Sequence, residues 1–212
     1  TISVKDAFEG RVVDGPISNA TVFIDSNSDS IKNSSEMGVT TNSQGFFYIP
    51  KDSIVCNGIC DHTVVSQGGF DIQTGQNVDI TLSSPLVGDK LFSVSPLSTM
   101  IVASADDGAL LSSLGIESTV SEVIARDLWQ LAKDNNVSAK KLMRINYQLG
   151  MIFGATQSLF LLTDDLTASQ ILSKAAEKLV TLINSTDKAI LTKSSLNTYF
   201  TNMINELDPA SL

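Results

Sequence analysis

The chain has 212 residues, 42% of them hydrophobic, and carries a formal net charge of −9 with an isoelectric point near 4.4. That length holds one large or two small domains with a real core, and the acidic balance excludes nucleic acid as a partner, since no basic stripe is present to neutralise phosphates. The most apolar stretch, Leu149 to Leu162, carries Thr156, Gln157 and Ser158 and is too short and too polar to span a bilayer, so no transmembrane segment is predicted.

Residues 1 to 94 read as β-structure. Thr1-Ile-Ser-Val shows neither the basic region nor the long apolar region of a signal peptide. Residues 1–8 are a strand-like segment, with Ile2 and Val4 alternating with polar neighbours. Glu9 to Gly15 is a short strand running into the Gly15-Pro16 turn. Ala20 to Ile24 is β-branched and aromatic. Val39 to Thr41, Phe46 to Pro50, His62 to Ser66 and Asn77 to Leu82 follow, with Gly68, Gly69 and Gly75 between the last two. Short strands separated by turn signals predict an antiparallel β-sandwich.

Between the third and fourth of these segments lies Asp25-Ser-Asn-Ser-Asp-Ser-Ile-Lys-Asn-Ser-Ser-Glu36. Asp25, Asn27, Asp29, Asn33 and Glu36 place side-chain oxygens at positions 1, 3, 5, 9 and 12 of a twelve-residue calcium loop. The Ile31 carbonyl falls at position 7. Calcium takes six to eight hard oxygen ligands, which a loop with an oxygen at every second residue can wrap around it. Ser30 departs from the glycine usual at position 6, and the flanks read as strands, unlike an EF-hand. The competing reading is a solvated Asp/Asn/Ser turn without an ion; the spacing favours calcium.

Cys56 and Cys60 form a C-x3-C pair. His62 is the only histidine, which leaves no four-ligand zinc set. A disulfide is favoured over two free thiols or a redox motif. Closing so small a ring contributes about 2 kcal/mol, and its formation would imply an oxidising compartment.

The pattern changes near Val94. Ser95-Pro96 is a helix start, and the following segments carry one-sided apolar stripes at helical spacing. Helices are predicted from Pro96 to about Ala105, from Ala109 to Leu114, and from the Thr119–Glu122 capping box to about Asn135. A long helix follows the expected cap Ser138. One more opens at Thr167 and a last one at Ser194 or Ser195. Residues 95–212 therefore read as a small helical bundle after a sandwich over residues 1–94, an α+β chain.

Catalytic chemistry finds no constellation. Asp106-Asp107 and Asp164-Asp165 sit at helix ends, where carboxylates cap helices. His62 has no assigned nucleophile to serve, and no phosphate-binding glycine loop precedes a helix. Gly150-x-x-x-Gly154 predicts close helix–helix packing, and Trp129 reads as core or edge packing. The chain is read as not an enzyme.

Three stretches together carry a resemblance: Gly10 to Asp25 with the acidic loop after it, Thr41-Asn-Ser-Gln-Gly-Phe-Phe-Tyr-Ile49, and Val94-Ser-Pro-Leu-Ser-Thr99. They resemble the prealbumin-like, carboxypeptidase-regulatory-like β-sandwich modules of bacterial surface proteins and large adhesins, over roughly residues 9 to 100. The resemblance implies a calcium-carrying acidic loop and a helical region opened by the serine-proline-leucine stretch. The expected function is a non-catalytic extracellular or cell-surface structural protein, an adhesin segment or self-assembling fibre subunit stabilised by calcium. Self-association by strand exchange through residues 1–8, or contact with other surface proteins, is expected with it. The alternative is a surface module that binds a glycan or another small ligand.

Overall fold

The computed structural model describes residues 7–53, 62–86, 92–160, 168–185 and 193–207. Among them, ten strands form three small sheets and seven α-helices follow, a mixed α/β arrangement. Strand β1 (Ala7–Val12) is central in the first sheet. It pairs antiparallel with β5 (Phe46–Pro50) and parallel with β10 (Phe92–Val94). A second sheet runs β4 (Gly38–Thr40), β3 (Thr21–Asp25), β6 (Thr63–Gln67), β9 (Thr81–Pro85), all antiparallel. The third is a small ribbon of β2 (Ile17–Ser18), β7 (Phe70–Asp71) and β8 (Gln76–Asn77).

Two differences from expectation have simple causes. The β1–β10 pair is parallel, which needs a long crossover; the chain between Val12 and Phe92 supplies it. Three residues are also too few to show a periodicity, so β10 leaves little trace in the sequence. The segment expected as one strand from Asn77 to Leu82 is split. Val78 NH turns aside to the Gly69 carbonyl at 2.9 Å, ending β8, and β9 starts at Thr81.

The two larger sheets share one apolar cluster. Val12, Phe47, Ile49, Phe92 and Val94 come from the first; Val22, Ile24, Val64 and Leu82 from the second. Each fully buried side chain of this size contributes roughly 1.5–3 kcal/mol. Phe47 and Phe92 meet edge to face, centroids 5.5 Å apart. Gly10 is required there, because a Cβ would lie 2.7 Å from Phe47 Cε1.

The helices are α1 (Pro96–Ala103), α2 (Asp107–Ser113), α3 (Val120–Ile124), α4 (Leu128–Lys133), α5 (Val137–Phe160), α6 (Ala168–Ser185) and α7 (Lys193–Leu207). Their stripes build a second cluster, with Leu97 and Met100 of α1, Leu149 and Phe153 of α5, Leu179 and Ile183 of α6, and Met203 of α7. Val12 and Val13 are neighbours in the chain yet belong to different clusters, as strand alternation requires. Trp129 is partly buried at the margin of the helical cluster.

Hydroxyl groups weld α1 to the sheets. Ser95 caps the helix in a reciprocal box with Ser98. Ser98 Oγ donates to the Ser83 carbonyl at 2.6 Å, and Thr99 Oγ1 accepts from Ser83 NH at 2.9 Å. Leu97 NH reaches the fully buried Asn146 Oδ1 of α5 at 2.9 Å. The Ser-Pro-Leu-Ser-Thr stretch is thus a junction among strand β9, helix α1 and helix α5.

The helix expected from Thr119 to Asn135 is two. The chain breaks at Ala125–Arg126, Ser93 Oγ donates to the Arg126 carbonyl at 2.7 Å, and Asp127 restarts the helix as N-cap through Gln130 NH. Asp127 is held from the sheet side as well. Arg11 Nη1 lies 2.9 and 3.1 Å from its two oxygens, Arg11 Nε donates to the Gln44 carbonyl, and the guanidinium lies over the Phe46 ring at 4.5 Å. Both side chains are nearly buried, at 7% and 14% exposure. The cap of the long α5 is Asn136 rather than Ser138, its Oδ1 accepting from Ala139 NH at 2.9 Å.

Candidate functional site

The 25–36 loop leaves the end of β3, and its residues divide into two classes. Asp25 and Glu36 are buried, at 1% and 6% exposure, while Asn27, Asp29 and Ile31 are exposed. Asp25 accepts from the amides of Asn27, Ser28 and Ser30, the last two at 2.7 and 2.8 Å. Glu36 accepts from Ser26 NH at 2.8 Å and from Asn33 NH at 3.1 Å. The two carboxylates thereby pin both ends of the loop. Neither forms an ion pair among the described residues.

The remaining donors engage one another. Asn27 Nδ2 donates to Asp29 Oδ2 at 2.7 Å, Asp29 Oδ1 accepts from Ile31 NH, and Asn33 Oδ1 accepts from Ser35 NH. Among the described residues no three His, Cys, Asp or Glu side chains are gathered to hold a metal ion. The donor set nonetheless suits a hard cation. It is all oxygen, and Asp25 Oδ2 and Glu36 Oε2 each accept a single amide, from Ser30 and Asn33, and keep lone-pair capacity beyond it. Ser30 adopts φ +55°, the left-handed turn for which glycine is the usual sixth residue. Ser28 does so too, at φ +61°. Gln67 Nε2 fastens the Ser30 carbonyl to β6 at 2.8 Å.

Cys56 and Cys60 lie outside the described residues, as do residues 1–6. Ala7 and Phe8 pair with Pro50 and Ile49 inside the first sheet. Asp106 caps α2 through Ala109 NH at 2.9 Å, while Asp164 and Asp165 lie outside the described residues. Among those residues no helix is long and apolar enough to cross a membrane.

A second polar cluster escaped the sequence reading. Asp14, just after β1, faces helix α5 at Gly150. A Cβ on Gly150 would fall 2.6 Å from the Asp14 carboxyl carbon. The Gly150–Gly154 pair therefore does not serve the helix–helix contact expected of it. Gly150 makes room for a carboxylate from the sheet side, and among the described residues nothing lies within 4 Å of a Cβ at Gly154. That space belongs to a cavity of about 620 Å³ between α5 and the β7–β8 hairpin, lined among others by Asp14, Asp71, Tyr147, Met151 and Gln157.

The electrostatics are unusual there. Burial first, and then the Asp71 carboxylate, push the Asp14 carboxyl up to about 7. The Tyr147 hydroxyl, which donates to Gln73 Oε1 at 2.6 Å, is pushed up to about 12 by burial, then by Asp14 and Asp71. Asp71 itself accepts from Gln73 NH and Thr74 Oγ1, both at 2.8 Å. Asp14 Oδ1 and Gln157 Oε1 are buried with no hydrogen-bond partner among the described residues. The available signal was polar Gln157 on an otherwise apolar helix face one turn after Gly154, a pairing that acquires meaning only once Asp14 is placed against it. No family model matches the chain, and no curated protein or solved structure matches it.

Proposed function

We propose that the chain is a non-catalytic extracellular structural protein of the bacterial surface or matrix, an adhesin segment or fibre subunit, stiffened by calcium in its 25–36 loop. In this reading the two larger sheets form a prealbumin-like sandwich over residues 1–94, and residues 95–212 form the helical bundle that follows. The shared core of the two sheets supports the first part. The observation that carries the ion is the pair of buried carboxylates, Asp25 and Glu36, with no cationic partner among the described residues. Calcium would be held by Asp25, Asn27, Asp29, the Ile31 carbonyl, Asn33 and Glu36. It would replace the Asn27–Asp29 contact and lock the β3–β4 connection. The reading includes a Cys56–Cys60 disulfide and self-association through residues 1–8 or contact with other surface proteins.

The test is a melting curve with calcium and with EDTA. A site of the weak extracellular kind, Kd about 10⁻⁴ M, stabilises by roughly 2 kcal/mol at about 2 mM calcium. That is a rise of a few degrees for a chain of this size, absent in Glu36→Gln. A melting temperature indifferent to EDTA removes the ion from the proposal. Light scattering of the full chain and of a form without residues 1–8, both with calcium, tests the assembly.

A further inference from the structure

We propose that the cavity between helix α5 and the β7–β8 hairpin binds an organic cation, an ammonium or guanidinium group carried on an aliphatic stem. The inference is independent of calcium in the 25–36 loop.

The cavity, at about 620 Å³, falls within the range of small-ligand sites. Its lining holds two buried acceptors that no donor reaches among the described residues. Gln157 is 3% exposed; its Nε2 donates to the Asp79 carbonyl at 2.6 Å, leaving Oε1 with no partner among the described residues. Asp14 Oδ1 is in the same position. A buried acceptor left without a donor is costly, so two of them among the lining residues call for a ligand rich in N–H.

Charge selects among donors. Asp14 lies close enough to Asp71 for their carboxylates to repel, and among the described residues no Lys or Arg lines the cavity. A neutral polyol would satisfy the oxygens and leave that repulsion in place; a cation relieves both. A divalent metal fits poorly, because calcium requires six to eight oxygens and no three acidic side chains among the described residues gather here as an ion cage. The lining also includes apolar Val78, Ile80 and Met151 and the bare backbone at Gly154. It offers surface to a methylene stem while the head group reaches Asp14.

The probes are agmatine and 1,4-diaminobutane for a free cation, and a short lysine- or arginine-bearing peptide for a side chain of a partner protein. 1,4-Butanediol and calcium chloride at matched ionic strength are controls. Titration calorimetry of the full chain near pH 7.5 is expected to show saturable binding of at least one cationic probe. Asp14→Asn and Gly154→Leu should each weaken it about tenfold or more, equivalent to roughly 1.4 kcal/mol. Gly154→Leu plugs the cavity where its first side-chain atom meets none of the described residues. Should that variant fail to fold, Gln157→Met removes the acceptor at nearly constant volume. Preference for the peptide assigns the cation to a partner chain, and equal binding of the free amines assigns it to a small molecule; both sustain the proposal. Binding of butanediol as tight as the diamine, affinity unchanged in the variants, or no cationic probe binding up to about 10 mM overturns it.

Discussion

Replacing Asp14 by asparagine should stabilise the protein, and by an amount that grows with pH. The carboxyl rises from an ordinary 3.8 to about 7 on folding. A carboxyl raised in this way folds best when protonated. Its contribution is complete below about pH 3.8 and lost as pH rises through about 7, where the folded protein must hold a buried charge beside Asp71. The step between those two values corresponds to roughly 4 kcal/mol at alkaline pH, an upper figure because water entering the cavity would soften it. The asparagine side chain has the same shape and no charge. Urea melts at about pH 5.5 and pH 8 should show the advantage of the variant growing by roughly 2 kcal/mol between the two. The groups that share this environment, Asp71, Asp79 and Tyr147, remain in both proteins, so the difference isolates Asp14. Identical pH dependence in the two proteins, or a variant less stable than the parent at pH 8, refutes the burial argument.

Three further outcomes are expected. Ser30→Gly should stabilise by about 1 kcal/mol, since φ +55° costs a serine and not a glycine; chemical denaturation checks it, and a loss of stability would show that the Ser30 side chain outweighs the backbone. Asp127→Ala should cost about 3 kcal/mol or more in the same assay, because it strands the nearly buried Arg11 and uncaps α4; an effect below about 1 kcal/mol would mean the pair is solvated. Gly150→Ala and Gly154→Ala should have opposite signs. The first drives a methyl into the Asp14 carboxyl, and the second gains roughly 1 kcal/mol of helix propensity in open space; thermal melts that move together would contradict the geometry at the cavity.

The sequence was most legible where one residue does one local job. Thr119 and Glu122 close the capping box as their spacing demands. Asn42 and Gly45 make the turn into β5, with Gly45 at φ +82°. The β-then-α order and the apolar stripes follow from periodicities that need no tertiary information. The loop oxygens could be numbered in advance for the same reason. What stayed hidden depends on distant partners. The break between α3 and α4 is set by Arg11, 116 positions before Asp127. The role of Gly150 is set by Asp14, and nothing in either neighbourhood announces the other. Helix periodicity predicts a face; it does not say what that face meets.

The placement of β1 between β5 and β10 has a consequence for the order in which the chain can fold. One flank of β1 comes from residues 46–50 and the other from residues 92–94, with Val13 NH bonded to the Val94 carbonyl at 2.9 Å. Arg11 must wait longer still, for Asp127. During synthesis, therefore, β1 is among the first described segments to leave the ribosome and among the last to be completed. Until Val94 emerges, its second edge keeps unpaired amides and carbonyls, the feature that invites pairing with another chain. Contacts this far apart in sequence also close slowly. The strand that anchors the mature first sheet is thus, for much of its early life, an open edge.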